Sequence, residues 1–320
     1  MFGCAGPALA ESTDADDIAV TTGPASPADA TDTAAPVNAA NPWPDRTGLN
    51  IAHQGGALEA PGNTMAAFRT ALRHGVDVLE FDVQTTADGE LVVLHDDTVQ
   101  GSTDGEGRVD ELSWQQVAEL DAAYWFVPGC GACQDHPEED YIYRGYATGE
   151  RPIPPELGLQ PADFRIPKLR EVLEAFPDTY LNLELKNSGY EREVAELLEA
   201  YGRSTDTIVT SFHESAMDEF AEHNPGVGTA PGPVTIAKFA AASLGPLPGI
   251  PLPGYHALQL PTELEGIGTI SADLVSDAHA HDLAVHVWTL NDRAAMTEAL
   301  DMGVDGIMTD RPSLLAELLP

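Results

Sequence analysis

Short apolar runs alternate with helical patterns from about residue 49 to the end of the chain. Nine runs read as strands: Leu49–His53, Val78–Val83, Leu91–His95, Tyr180–Leu185, Thr207–Phe212, Val227–Ala230, Ala257–Leu260, Ala284–Leu290 and Gly306–Thr309. Between them, apolar residues recur at helical spacing. Phe68, Ala71 and Leu72 share one face after a cap at Asn63 and before Gly75. Val194, Leu197, Leu198 and Tyr201 precede Gly202, and Met296, Ala299 and Leu300 precede Gly303. Strands and helices in alternation are the signature of βα units. Nine candidates exceed the strands of an eight-stranded barrel, so at least one is wrong or peripheral. The link from Asp82 to His95 is also too short for a helical crossover, which needs about a dozen residues. A barrel built this way is irregular there.

Some eighty residues between His95 and Tyr180 carry few strand signals and are rich in Gly, Pro and aromatics. In a barrel they form a βα-loop insertion, on the face where active sites lie. From Glu11 to about Asn41 the chain is Ala, Asp, Thr, Pro and Ser with almost no large apolar residue. Such a stretch cannot bury enough surface to offset ordering entropy, so residues 1–41 are expected to be a disordered tether and residues 42–320 the folded part, starting near Trp43.

Composition narrows the partners. The chain has 52 acidic residues against 15 Lys and Arg, a formal charge of −37, and only three lysines: Lys168, Lys186 and Lys238. That field repels nucleic acid and anionic membrane surfaces. An anionic substrate would need a local cation or a metal. No run approaches the roughly 20 apolar residues of a transmembrane helix. Cys4, in Met1-Phe2-Gly3-Cys4-Ala5, resembles the end of a bacterial lipoprotein signal, where the cysteine becomes lipidated; the charged and apolar regions that should precede it are missing. Ala8-Leu9-Ala10 would serve almost as well as a signal-peptidase remnant. Both point to export, with any membrane association made through an N-terminal lipid anchor.

Val78-Leu79-Glu80-Phe81-Asp82-Val83 puts two carboxylates at i and i+2, on one side of a strand. They are either an exposed edge or a cation site, since buried acids need a positive partner. Glu184 and Lys186 repeat the spacing in Leu183-Glu184-Leu185-Lys186, as a salt bridge or as part of the same site. Three carboxylates with water and substrate oxygens suit Mg²⁺ or Ca²⁺ rather than zinc. His53 and His95 each end a predicted strand beside these acids, where imidazole serves general acid–base chemistry near neutral pH. Cys130-Gly131-Ala132-Cys133 with His136 invites a zinc reading, but four ligands are needed and a small local disulfide is preferred. The aromatics Tyr124, Trp125, Phe126, Tyr141, Tyr143 and Tyr146 either wall an active site or pack the insertion onto the barrel mouth.

The segments His53-Gln54-Gly55-Gly56, Pro61-Gly62-Asn63-Thr64, Glu80-Phe81-Asp82-Val83, Thr86-Ala87-Asp88-Gly89, Val92-Val93-Leu94-His95-Asp96, Glu184-Leu185-Lys186, Trp288-Thr289-Leu290-Asn291 and Thr309-Asp310-Arg311-Pro312 occur in one order. The series resembles the glycerophosphodiester phosphodiesterases, of the PI-PLC-like phosphodiesterase superfamily, over about residues 49–315. The resemblance implies an irregular TIM-type (β/α)8 barrel with an insertion after the third strand, about residues 101–167. It implies one divalent cation, Ca²⁺ or Mg²⁺, on Glu80, Asp82 and Glu184, with His53 and His95 as the acid–base pair. Lys186, Gln54 and Trp288 would bind substrate, and a small glycerophosphodiester would yield glycerol phosphate and an alcohol.

Two positions depart from the family pattern, which has Arg where Gln54 stands and Glu where Gly62 stands. Loss of a bidentate cation alters phosphate recognition. Glu59 is a candidate to replace the missing carboxylate and Arg144 to reach the phosphate. The rival functions are a lysophospholipase D-type enzyme acting on lysolipids and a catalytically weak barrel that binds phosphorylated or polyol ligands.

Overall fold

A computed structural model describes residues 43, 45–243, 251–264, 267–268 and 270–320. The expected tether, Cys4 and the Ala8-Leu9-Ala10 segment lie outside the described residues. The strands are β1 (Leu49–Ala52), β2 (Val78–Thr85), β3 (Leu91–Val93), β4 (Phe126–Val127), β5 (Gly131–Ala132), β6 (Tyr180–Leu185), β7 (Thr207–Ser211), β8 (Gly228–Thr229), β9 (Ala257–Pro261), β10 (Glu263–Leu264), β11 (Ile267–Gly268), β12 (Ala284–Trp288) and β13 (Gly306–Thr309). The helices are α1 (Met65–Arg73), α2 (Trp114–Val117), α3 (Leu169–Ala175), α4 (Glu191–Ala200), α5 (Glu214–His223), α6 (Pro233–Ser243), α7 (Ala272–Ala280), α8 (Arg293–Asp301) and α9 (Pro312–Ala316).

Parallel strands follow in the order β8-β7-β6-β2-β1-β13-β12-β9. The seam between β8 and β9 is spanned by the His256 N–H, which donates to the Thr229 carbonyl at 2.8 Å. The result is a nearly closed eight-stranded TIM-type barrel. The peripheral strand is β3, which runs antiparallel to β2 with Val83 opposite Val93. Its short link therefore makes a hairpin instead of a crossover, and the insertion falls between the second and third barrel strands.

Strand alternation builds two apolar layers. Leu79, Phe81 and Val83 of β2 and Leu181, Leu183 and Leu185 of β6 join Phe68, Leu173, Val194, Leu198 and Phe220 of the surrounding helices in one buried cluster. Leu49, Ile51, Val78, Ile208, Ala257, Ala284 and Met308 fill the barrel interior around Trp43. Trp43 meets Tyr180 and His286 edge-on, with ring centroids at 5.8 and 6.1 Å. A one-residue slip of β2 would turn its acids outward toward the helices and its Leu and Phe side chains inward, so burial of both layers fixes the register.

The first helix begins one residue later than expected. Thr64, not Asn63, caps α1, its Oγ1 accepting from the Ala67 N–H. Asn63 instead sits at φ 58° with its side chain on Asp82. The insertion holds two buried clusters, one around Val92, Val99, Val117 and Ile166, the other around Tyr146 and Phe164. Phe126 stacks on Tyr143 at 5.4 Å, and Arg69 of α1 pairs with Asp163 at 3.1 Å. Most of the insertion's aromatics thus pack it onto itself and onto α1. Cys130 and Cys133 form a disulfide. Among the described residues no helix is long and apolar enough to cross a membrane.

Candidate active site

The i, i+2 spacing of Glu80 and Asp82 turns both inward in the middle of β2. The parallel register of β6 sets Glu184 directly beside Asp82. One oxygen of each carboxylate lies within 4.8 Å of the others. Glu80 and Asp82 are 3% and 1% exposed, so neither is the outward acid of an edge strand. Lys186 Nζ lies 2.8 Å from Glu184 Oε1 and 3.5 Å from Asp82 Oδ1. That single ammonium does not balance three carboxylates. Burial, then the neighbouring Asp82 charge, pushes the Glu184 carboxyl above its ordinary range. Glu80 also moves upward, through burial and Asp82, against the pull of His53. An under-neutralised set of hard oxygen donors fits a divalent cation of the Mg²⁺ or Ca²⁺ type.

The histidines lie just beyond the strands instead of ending them. His53 opens a short 3-10 turn after β1. Its Nδ1 is 2.7 Å from Asp310 Oδ1, while Asp310 Oδ2 accepts from Asn291 Nδ2 at 2.7 Å. Burial opposes the imidazolium, but Glu80 and Asp310 outweigh it and lift the His53 pKa to about 9. His95 is half-exposed two residues past β3, with Nδ1 2.8 Å from Asp96 Oδ1. The hydrogen bond that the Asp96 carboxylate accepts from the ring raises the His95 pKa. Gln84 pins this loop, donating to the carbonyls of Leu94, His95 and Asp96. His95 and Gln54 line a cleft of about 190 Å³ that continues along Asn63, Ser102, Phe126 and Ala132. His53 does not line that cleft; it stands on the Glu80 side of the acids. Trp288 closes β12 edge-on to Phe212 at 5.9 Å, and the Phe212 ring is 5.9 Å from Lys186 Nζ.

The model of the glycerophosphoryl diester phosphodiesterase family matches residues 53–314. The chain belongs to that family. It is similar to a glycerophosphodiester phosphodiesterase of Bacillus altitudinis, 30% identical over 270 residues that cover 82% of this chain and 94% of the relative. The solved glycerophosphodiester phosphodiesterase of Agrobacterium tumefaciens superposes with a TM-score of 0.62 at 25% identity, covering 83% of this chain and 98% of that one. An Oleispira antarctica phosphodiesterase, solved with the product sn-glycerol-3-phosphate, shares the fold with a TM-score of 0.60 at 22% identity, covering 83% and 94%.

Against the family pattern, the two departures occupy one space. A Cβ added at Gly62 would lie 2.8 Å from Gln54 Oε1 and 3.3 Å from Gln54 Cβ, so Gln54 fills the room a side chain at 62 would need. Gln54 keeps a backbone role as well, donating from N to Glu80 Oε2 at 2.7 Å. Neither proposed substitute is available. Glu59 is taken by Ser313, whose N–H and Oγ both donate to it at the start of α9. Arg144 is held within the insertion, over Tyr124 at 4.0 Å and Tyr141 at 3.8 Å, with its Nη1 on Glu138.

Sequence reasoning gave no place in the site to Asn63, which it read only as a helix cap, nor to Asp96, Asn291 and Asp310. Asn63 donates to Asp82 Oδ2 at 2.7 Å and accepts from the Asp82 N–H, fixing the central carboxylate. All four stood inside the recognised motifs. That was their only signal, because each works through a neighbour.

Proposed function

We propose that the chain hydrolyses small glycerophosphodiesters to glycerol phosphate and a free alcohol, using one divalent cation, Ca²⁺ or Mg²⁺, held by Glu80, Asp82 and Glu184. The observation that carries this reading is the convergence of these three carboxylates within 4.8 Å, beside Lys186 and two carboxylate-oriented imidazoles. A cation there would supply charge stabilisation at the non-bridging phosphate oxygens.

The chain's own residues do the rest. Lys186 offers a point charge to the phosphate. Asp310 and Asp96 each hold one imidazole nitrogen, which orients the other for proton transfer. One histidine takes the proton of the attacking hydroxyl, either water or the substrate's own glycerol hydroxyl. The other donates to the leaving alcohol oxygen. Gln54 presents a neutral amide at the cleft, so phosphate charge falls to Lys186 and the cation. Export, expected from the N-terminal residues, accords with the Cys130–Cys133 disulfide.

Glycerophosphocholine and lysophosphatidylcholine, each assayed with and without divalent metal, test the proposal. Metal-dependent release of choline from glycerophosphocholine is expected. Faster turnover of the lysolipid would move the reading to a lysophospholipase D, and binding without turnover would leave a ligand-binding barrel.

A further inference from the structure

The hairpin β4–β5 carries chemistry the diesterase reaction does not use. Cys130, Cys133 and His136 bring one sulfur each and a ring nitrogen within 4.8 Å of one another, and both Cys130 and His136 are exposed. The scaffold around them is fixed independently of the sulfur–sulfur bond. The Cys133 N–H donates to the Trp125 carbonyl at 2.9 Å, and the Cys130 N–H to the Val127 carbonyl at 3.0 Å. The His136 N–H donates to the Tyr141 hydroxyl at 3.1 Å, which itself donates to the Gln134 carbonyl at 2.6 Å. Asp140 Oδ2 lies 3.2 Å from His136 Nδ1, an outer carboxylate that orients a ligating imidazole.

We propose that this hairpin is a second metal site, closed by the disulfide and opened by reduction, which takes one soft divalent cation such as Zn²⁺. A dithiol reductant passes two electrons to the bond. Two thiols form, and the reductant leaves as its own disulfide. Binding of the cation then releases two thiol protons, leaving two thiolates and one imidazole as ligands with a fourth position for water. Ligand atoms of a tetrahedral zinc stand about 3.5–3.8 Å apart, and the three donors already lie within 4.8 Å. Small side-chain rotations therefore suffice, with the backbone of the hairpin kept. The ligand set is sulfur and nitrogen, so it selects a different class of ion from the all-oxygen carboxylate site. The place matters because Phe126 and Ala132 of this hairpin line the substrate cleft and the Gly129 N–H donates to the Leu58 carbonyl, in the loop that follows His53.

Cobalt is the probe, because thiolate ligation gives a sulfur-to-metal charge-transfer band that carboxylates cannot give. The full chain is used with Cys4→Ser, so that every titrated thiol belongs to the hairpin. Oxidised protein is expected to show no such band. Reduced protein, freed of reductant and shown to be folded by circular dichroism, is expected to show one band saturating at one equivalent and lost on adding one equivalent of Zn²⁺. Cys130→Ser with Cys133→Ser should abolish the band, and His136→Ala should weaken binding by about tenfold or more. Folded, reduced protein with two titratable thiols and no band overturns the proposal, as does His136→Ala binding at full strength.

Discussion

Replacing His286 by Leu is expected to flatten the acid limb of the protein's stability curve. His286 lies on β12, where alternation points it into the barrel, 1% exposed. Neither ring nitrogen has a hydrogen-bond partner among the described residues, and the nearest ring is that of Trp43. Burial alone lowers its pKa from 6.5 to about 4. The unfolded chain therefore takes up a proton that the folded chain refuses, and stability falls as pH drops from about 6.5 toward 4. Between pH 7 and pH 5 the two pKa values give a loss of about 2 kcal/mol from this one group, at roughly 1.4 kcal/mol per unit. Leu keeps an apolar side chain of similar bulk and has nothing to protonate. Urea unfolding at both pH values, for both proteins, reads the effect as a difference of differences, which cancels the carboxylates they share. Curves that stay parallel from pH 7 to pH 5 would refute the reasoning.

The other expectations concern the site. His53→Ala and His95→Ala should each lower kcat on glycerophosphocholine by roughly two or more orders of magnitude while leaving the unfolding midpoint little changed; near-normal turnover in both would remove the acid–base assignment. Asp310→Asn keeps the shape but takes away a carboxylate that raises the His53 pKa. The limb of the pH–rate profile that reports His53 should then move to lower pH, with kcat down by at least about tenfold. An unmoved profile would show that Asp310 is only structural.

Much of the barrel could be read from pattern alone, because strands buried on both faces stand out as short apolar runs between stretches of helical period. The Asp82–His95 link already marked an irregularity through its length, and β3 proved to be the peripheral strand. What sequence could not show were side chains claimed by distant partners. Asn63 and Thr64 are both good helix caps, and the choice between them is made by Asp82, nineteen residues away. Glu59 looked free to enter the site, yet Ser313 holds it from 254 residues along the chain. The orientation of His53 likewise depends on Asp310, at the far end of the barrel sequence. Glu80 and Asp82 were legible as a pair from strand spacing, whereas Glu184 joined them only through the family resemblance, because the register that sets it beside Asp82 is a property of two strands about a hundred residues apart.

The most direct test of the account is to titrate Ca²⁺ or Mg²⁺ into chelator-treated protein while following bound ion and glycerophosphocholine turnover in the same sample. One ion per chain is expected, with turnover that rises in step with occupancy, and with weaker binding and lower turnover in Glu184→Gln. Full turnover in chelator with no ion bound, or unchanged ion affinity in Glu184→Gln, would contradict it.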